Sequence, residues 1–157
     1  MIEDQHAQRL TRFIKNHLPL VTAMGAQISF YDGQRFDLSA PLSLNHNDKM
    51  TAFGGSLYCL CVTNAIGLMF IKCFEQGINP DLVVSHAEID YIKPVPSEHI
   101  TAVASGPDGL KWQQFFQRYQ EKSKAGMNIS SIIEVNGQQA VSFNGRFAIV
   151  GESDTTL

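Results

Sequence analysis

Little in this chain would staple it, charge it or anchor it. Its three cysteines, Cys59, Cys61 and Cys73, fall in one helix-like stretch. On a helix Cys59 and Cys61 point about 200° apart, which argues against a shared metal or disulfide and leaves the three as small apolar fillers. Basic residues number 12 against 15 acidic ones, and a net charge of −3 is not the cationic excess of a nucleic-acid binder. The opening MIEDQHAQRL has no basic start followed by an apolar run, so neither a secretory signal nor a transit peptide is expected and the cytoplasm is the default. The apolar stretch at 57–71 contains Thr63, Asn64 and Gly67 and is shorter than the roughly 20 residues a membrane span takes, so a buried helix is expected there. No repeat, low-complexity tract or linker divides the chain. Residues 1–157 are expected to form one domain that buries about 70% of the surface its unfolded form exposes.

What is present is an ordered alternation of patterns. Ala7, Leu10, Phe13, Ile14 and Leu18 recur at helical spacing, predicting an amphipathic helix within residues 1–18 that Pro19 stops, a lid or a brace. AQISFYDGQRFDLSA alternates on both sides of Asp32-Gly33, a hairpin signal. Residues 55–76 are apolar nearly all round, predicting a central helix covered on most sides and closed by Gly77. LVVSHAEIDYIKPV and EHITAVASG read as strands, and DGLKWQQFFQRYQEKSK as a short helix or a kinked strand. NISSIIEV and QAVSFNGRFAIVG form a hairpin at Asn136-Gly137, with a bulge expected at Asn144-Gly145. A curled antiparallel sheet around one long helix, the α+β hot-dog architecture, buries these elements economically. It leaves an exposed sheet edge, for which pairing into a homodimer is the remedy.

The chemistry concentrates in NHNDKMTAFGGSLYCL. Gly54 and Gly55 keep side chains away from an approaching ligand, and the helix behind them supplies unbonded N–H groups and the positive end of its dipole. Ser56 is expected at or beside the N-cap, not as a nucleophile, since no His or Asp stands in a nucleophile motif around it. Many hot-dog thioesterases have a His-Gly-Gly helix start and a carboxylate two turns in. Here Phe53 takes the His place, Val62, Thr63 and Asn64 occupy the later positions, and Glu75 is the first acid of the helix. Hydrolysis would therefore lack its usual base. Taken alone, Asn45 and Asn47 suit an Asx-turn, and nothing in their spacing ranks one above the other. His46 reads as solvent-facing or a proton donor, and Asp48 as a turn cap. His86, Glu88 and Asp90 share one strand face opposite Ala87, Ile89 and Tyr91. The first three read as a solvated face and the others as core, with Glu88 or Asp90 as the replacement base of a hydrolase. Lys111, Arg118, Lys122 and Lys124 make the later insertion basic, a solvated face that would also suit an acidic carrier protein.

The run PLSLNHNDKMTAFGGSLYCL resembles the loop and helix start of stand-alone hot-dog malonyl-acyl-carrier-protein decarboxylases, relatives of the C-terminal domain of a two-domain acetyltransferase-like protein. The resemblance extends in element order and length over nearly the whole chain, and its specific part is Asn45 to Leu57. It implies a malonyl thioester substrate on acyl carrier protein or coenzyme A, a role in starting fatty acid synthesis, and no metal or organic cofactor. It implies Asn45 as the catalytic residue that orients the carboxylate. Backbone N–H groups of Gly54, Gly55 and Ser56 would hold the thioester oxygen, and Phe53 would pack beside the acyl group. Loss of CO2 needs no side-chain base, only a way to turn the carboxylate out of the thioester plane and to stabilise the enolate. An acyl thioesterase and a non-catalytic thioester-binding module are the competing expectations.

Overall fold

A computed structural model of the protein describes residues 3–154; residues 1–2 and 155–157, which the expected single domain and its first helix also include, lie outside the described residues. The elements run α1 (Gln5–His17), α2 (Pro19–Ala23), β1 (Gln27–Tyr31), β2 (Arg35–Pro41), a 3-10 turn (Leu42–Leu44), α3 (Gly54–Glu75), β3 (Pro80–Tyr91), β4 (His99–Ser105), α4 (Gly109–Lys122), β5 (Ala125–Val135) and β6 (Gln138–Glu152). All strand pairs are antiparallel, in the order β1-β2-β4-β5-β6-β3.

The turns follow their residues. Asn136 and Gly137 both take positive φ, 52° and 76°, and join β5 to β6. Asp32 Oδ1 accepts from the N–H groups of Gln34 and Arg35 at 2.9 and 2.7 Å, and Gly33 takes φ 96°. Asp4 caps α1 by accepting from the N–H groups of His6 and Ala7. α1 ends at His17, ahead of Pro19 as expected, and Pro19 itself opens α2, because proline's fixed φ and missing N–H suit the first turn of a helix. The insertion at 109–122 is a helix, capped by Asp108 and burying Trp112 and Phe115. No bulge interrupts Asn144-Gly145, where the register with β3 and β5 is continuous. Gly145 serves close packing instead: a Cβ there would stand 2.7 Å from the Phe147 ring and 2.9 Å from Phe143.

The sheet wraps α3, which packs against β2 to β6 and, on its remaining side, against α1. At 22 residues this helix is long and apolar enough to cross a membrane by length and composition, but most of it is buried as the core. Its contact with α1 is a brace: Phe13 lies 4.8 Å from Phe70 between ring centroids, and the Arg9 guanidinium sits 4.0 Å over Phe74. Gly67 lets helix and sheet approach, since a Cβ there would be 2.8 Å from Phe36 and 3.3 Å from Leu10. One polar side chain on α3 is wholly enclosed by the sheet. Asn64 donates to the Phe36 carbonyl of β2 at 2.8 Å and accepts from Ser131 Oγ of β5 at 2.6 Å. Its replacement by the similarly sized leucine removes both of these buried bonds. Asn64→Leu is expected to lower the unfolding free energy in urea by about 2–4 kcal/mol; a change under about 0.5 kcal/mol would show that the clamp carries no weight.

Candidate functional site

The loop between β2 and α3 is closed on itself. Asn45 N–H donates to the Leu42 carbonyl at 2.9 Å, and Phe53 N–H returns to the Asn45 carbonyl at 2.8 Å. Within this loop Asn47 is scaffold. Its Oδ1 accepts from the N–H groups of Lys49 and Thr51 at 2.8 and 3.1 Å, and its Nδ2 donates to Thr51 Oγ1 at 2.9 Å. This is the Asx-type role expected of it. His46 is exposed with Nδ1 2.9 Å from the Asn47 carbonyl, and Asp48 is exposed with Lys49 3.9 Å away.

α3 starts at Gly54, with Phe53 in the N-cap position and no side-chain cap. Ser56 is therefore neither the N-cap nor its neighbour but the third residue of the helix. Leu57 N–H closes the first turn onto the Phe53 carbonyl at 3.0 Å. The N–H groups of Gly54, Gly55 and Ser56 have no acceptor among the described residues, as helix geometry requires of a first turn without a cap. Gly55 is exposed, while Gly54 and Ser56 are half-buried. Three N–H donors thus open on one surface at the positive end of a long helix dipole. Phe53 is 56% exposed, and its ring lies over Gly55, where a Cβ would meet it at 2.5 Å.

Asn45 lies behind this mouth, 3% exposed. Its Nδ2 donates to the Met24 carbonyl at 2.9 Å and to the Pro41 carbonyl at 2.8 Å, which fixes the orientation of the carboxamide. Its Oδ1 is buried and has no partner among the described residues. Both hydrogens that could hold a carboxylate are thus spent on backbone, and the free capacity is an acceptor. A buried, half-satisfied amide beside an open helix mouth is the kind of exception that calls for a functional explanation.

Tyr91 was expected in the core. It shares the inward face of β3 with Ala87 and Ile89 but, at the strand's end, stays 53% exposed. Its hydroxyl donates to the Gly54 carbonyl at 3.0 Å, and partial burial pushes its phenol up. Period-two alternation indicated its face and gave no sign that the strand ends at the helix mouth. Glu88 and Asp90 occupy the outer face, away from α3, with Glu88 3.1 Å from His86 Nε2. Asn64 is committed to the core. Glu75, at the far end of α3, accepts from the Tyr31 hydroxyl and pairs with Lys72 at 3.1 Å. Cys61 and Cys73 are buried and their thiols are pushed up to about 12 by that burial; burial also raises Cys59.

The basic helix α4 borders a cleft shared with Lys72, Glu75 and Gln76, at the C-terminal end of α3. A 22-residue helix is about 33 Å long, so α4 stands a helix length from the mouth of its own chain.

Residues 7–151 match the family model described as "Putative thioesterase (yiiD_Cterm)". The chain belongs to this thioesterase family. The fold is the hot-dog fold of thioesterases. A protein of unknown function from Chlorobaculum tepidum TLS is similar over 95% of this chain and 96% of its own, at 36% identity and a TM-score of 0.90. A structure titled as a putative thioesterase from Shewanella oneidensis covers 94% of this chain and 99% of its own, at 23% identity and TM-score 0.85. A probable thioesterase from Pseudomonas aeruginosa, at 17% identity, covers 90% and 94% with TM-score 0.74. Within the thioesterase family, acyl thioesters are the substrate class, and the open N–H trio is a fitting receptor for a thioester oxygen. Gly55→Ala, which puts a methyl at the mouth and displaces the Phe53 ring from its place over Gly55, is expected to leave the melting temperature within a few degrees and to cut kcat/KM on an acyl thioester about tenfold or more, about 1.4 kcal/mol. An unchanged kcat/KM would remove this mouth from the site.

Proposed function

We propose that the protein decarboxylates a malonyl thioester, carried on acyl carrier protein or on coenzyme A, to the acetyl thioester that starts fatty acid synthesis. The observation that carries this reading is the trio of unbonded N–H groups beside a neutral carboxamide, at a mouth that no carboxylate of the same chain approaches on α3 or β3. The thioester oxygen sits among the N–H groups of Gly54, Gly55 and Ser56. As the bond to the carboxylate carbon breaks, its electron pair passes into the enolate, whose oxygen those donors stabilise by roughly 3 kcal/mol each. CO2 departs, and water returns a proton to the carbon. Asn45 turns the carboxylate out of plane by exchanging its part-buried bond to Pro41 for the substrate and keeping the one to Met24. A neutral amide does this without the ground-state stabilisation that Lys or Arg would add. Phe53 shields the acyl group. The enzyme is cytoplasmic and uses no cofactor.

Hydrolysis is the second reading, and Asn45 Oδ1 favours it: an acceptor without a partner is suited to hold a water. Incubation with malonyl and acetyl carrier protein separates the two by mass spectrometry. Decarboxylation yields acetyl carrier protein from the malonyl form and leaves the acetyl form intact, and Asn45→Ala is expected to slow it about a hundredfold. Release of free carrier thiol from both substrates would replace the decarboxylase with a hydrolase.

The twelve-residue β3 occupies the sheet edge beside this mouth, with Val83 and Val84 exposed. An open edge of that length supports a homodimer joined through β3. Light scattering is expected to give roughly double the 17.4 kDa chain mass, and a monomer at micromolar concentration would exclude it.

A further inference from the structure

α1 carries two working faces. One, with Ala7 and Leu10, packs into the core; the other, Gln8, Thr11, Arg12 and Lys15, repeats at i, i+3, i+4 and i+7 and lines a cleft of about 570 Å3 shared with β1. The volume lies within the range of small-molecule pockets. Ile14, Ala26 and Ile28 supply apolar lining. The hydroxyls of Thr11 and Thr22 on its wall donate to the carbonyls of Ala7 and Ile14, at 3.0 and 3.3 Å. Arg12 and Lys15 are the charged groups of the cleft. Neither has an ion pair or hydrogen bond among the described residues, and no carboxylate lines the space.

We propose that this cleft binds one medium- or long-chain fatty acid, with the carboxylate on Arg12 and Lys15 and the chain along Ile14, Ala26 and Ile28 beside β1. The charge and the apolar lining each select half of such a molecule. Gly25, which takes φ +70°, lines the cleft and immediately follows Met24, whose carbonyl anchors Asn45. An occupant therefore touches the turn that holds the carboxamide of the thioester site, without lying in that site.

Titration calorimetry of the full chain with monomeric decanoate tests the assignment, and it reads binding independently of turnover, so failure of the decarboxylase reading would leave its outcome unaffected. Saturable one-to-one binding is expected, with none for acetate, which lacks the chain, and at least tenfold weaker binding for decanol, which lacks the charge. The double variant R12E/K15E is expected to weaken decanoate binding at least tenfold, and Ile28→Trp, which fills the cleft, to abolish it. Undiminished binding in both variants would overturn the proposal. So would binding lost in Gly55→Ala but kept in R12E/K15E, which would put the fatty acid at the thioester mouth. Adsorption only to phosphatidylglycerol vesicles, with no monomeric decanoate bound, would overturn it in favour of a lipid surface.

Discussion

The structure depends on hiding one helix from water. α3 is apolar nearly all round, and no flat sheet could cover it. The strands β2 to β6 curl about it, and α1 closes the side they leave open. Apolar contacts are non-directional and would tolerate sliding, so the bonds from Asn64 to β2 and β5 matter beyond their energy: they fix the rotation and register of the helix inside its sheath. The rest of the architecture follows. Because the body of the helix is enclosed, its functional surface is restricted to its ends. The N-terminal end, with uncapped N–H groups and positive potential, is the one equipped for an electron-rich oxygen.

This restriction explains a site with so few ionisable groups. A buried helix supplies fixed dipoles, which cost no reorganisation when charge develops and need no titration to act. The acids of α3 and β3 are placed elsewhere: Glu75 ties the far end of α3 to Tyr31 and Lys72, and Glu88 lies on the solvent face of β3. What remains at the mouth is neutral, with the Tyr91 hydroxyl on the Gly54 carbonyl and the amide of Asn45 behind. Reactions in which the substrate brings its own charge are best suited to such surroundings.

The parts of the fold legible in the sequence were those whose cause is local. Asp32-Gly33 and Asn136-Gly137 announced their hairpins because positive φ is a property of the residues in the turn. The 55–76 helix declared its burial through composition alone. The misreadings came from ignoring neighbours distant in sequence. Gly145 looks like a bulge residue until Phe143 and Phe147 are seen to press on it. Ser56 resembled a cap, but the loop's return bond from Phe53 to Asn45 brings the helix start to Gly54. Asn47 was readable as a turn former from its own loop. Asn45 was not, because its partner Met24 lies 21 positions away; its prominence rested on family likeness.

That bond gives the amino-terminal hairpin of helices an unexpected station. A shortened chain lacking the first twenty-five residues would lose part of its packing, but it would also lose the stop against which the Asn45 amide rests. With only Pro41 left to hold it, the carboxamide would be free to invert and present the opposite polarity to whatever arrives. The segment that looks most like an appendage thus acts as the backstop of a buried amide, and shortening it would alter the polarity presented behind the helix mouth, not merely durability.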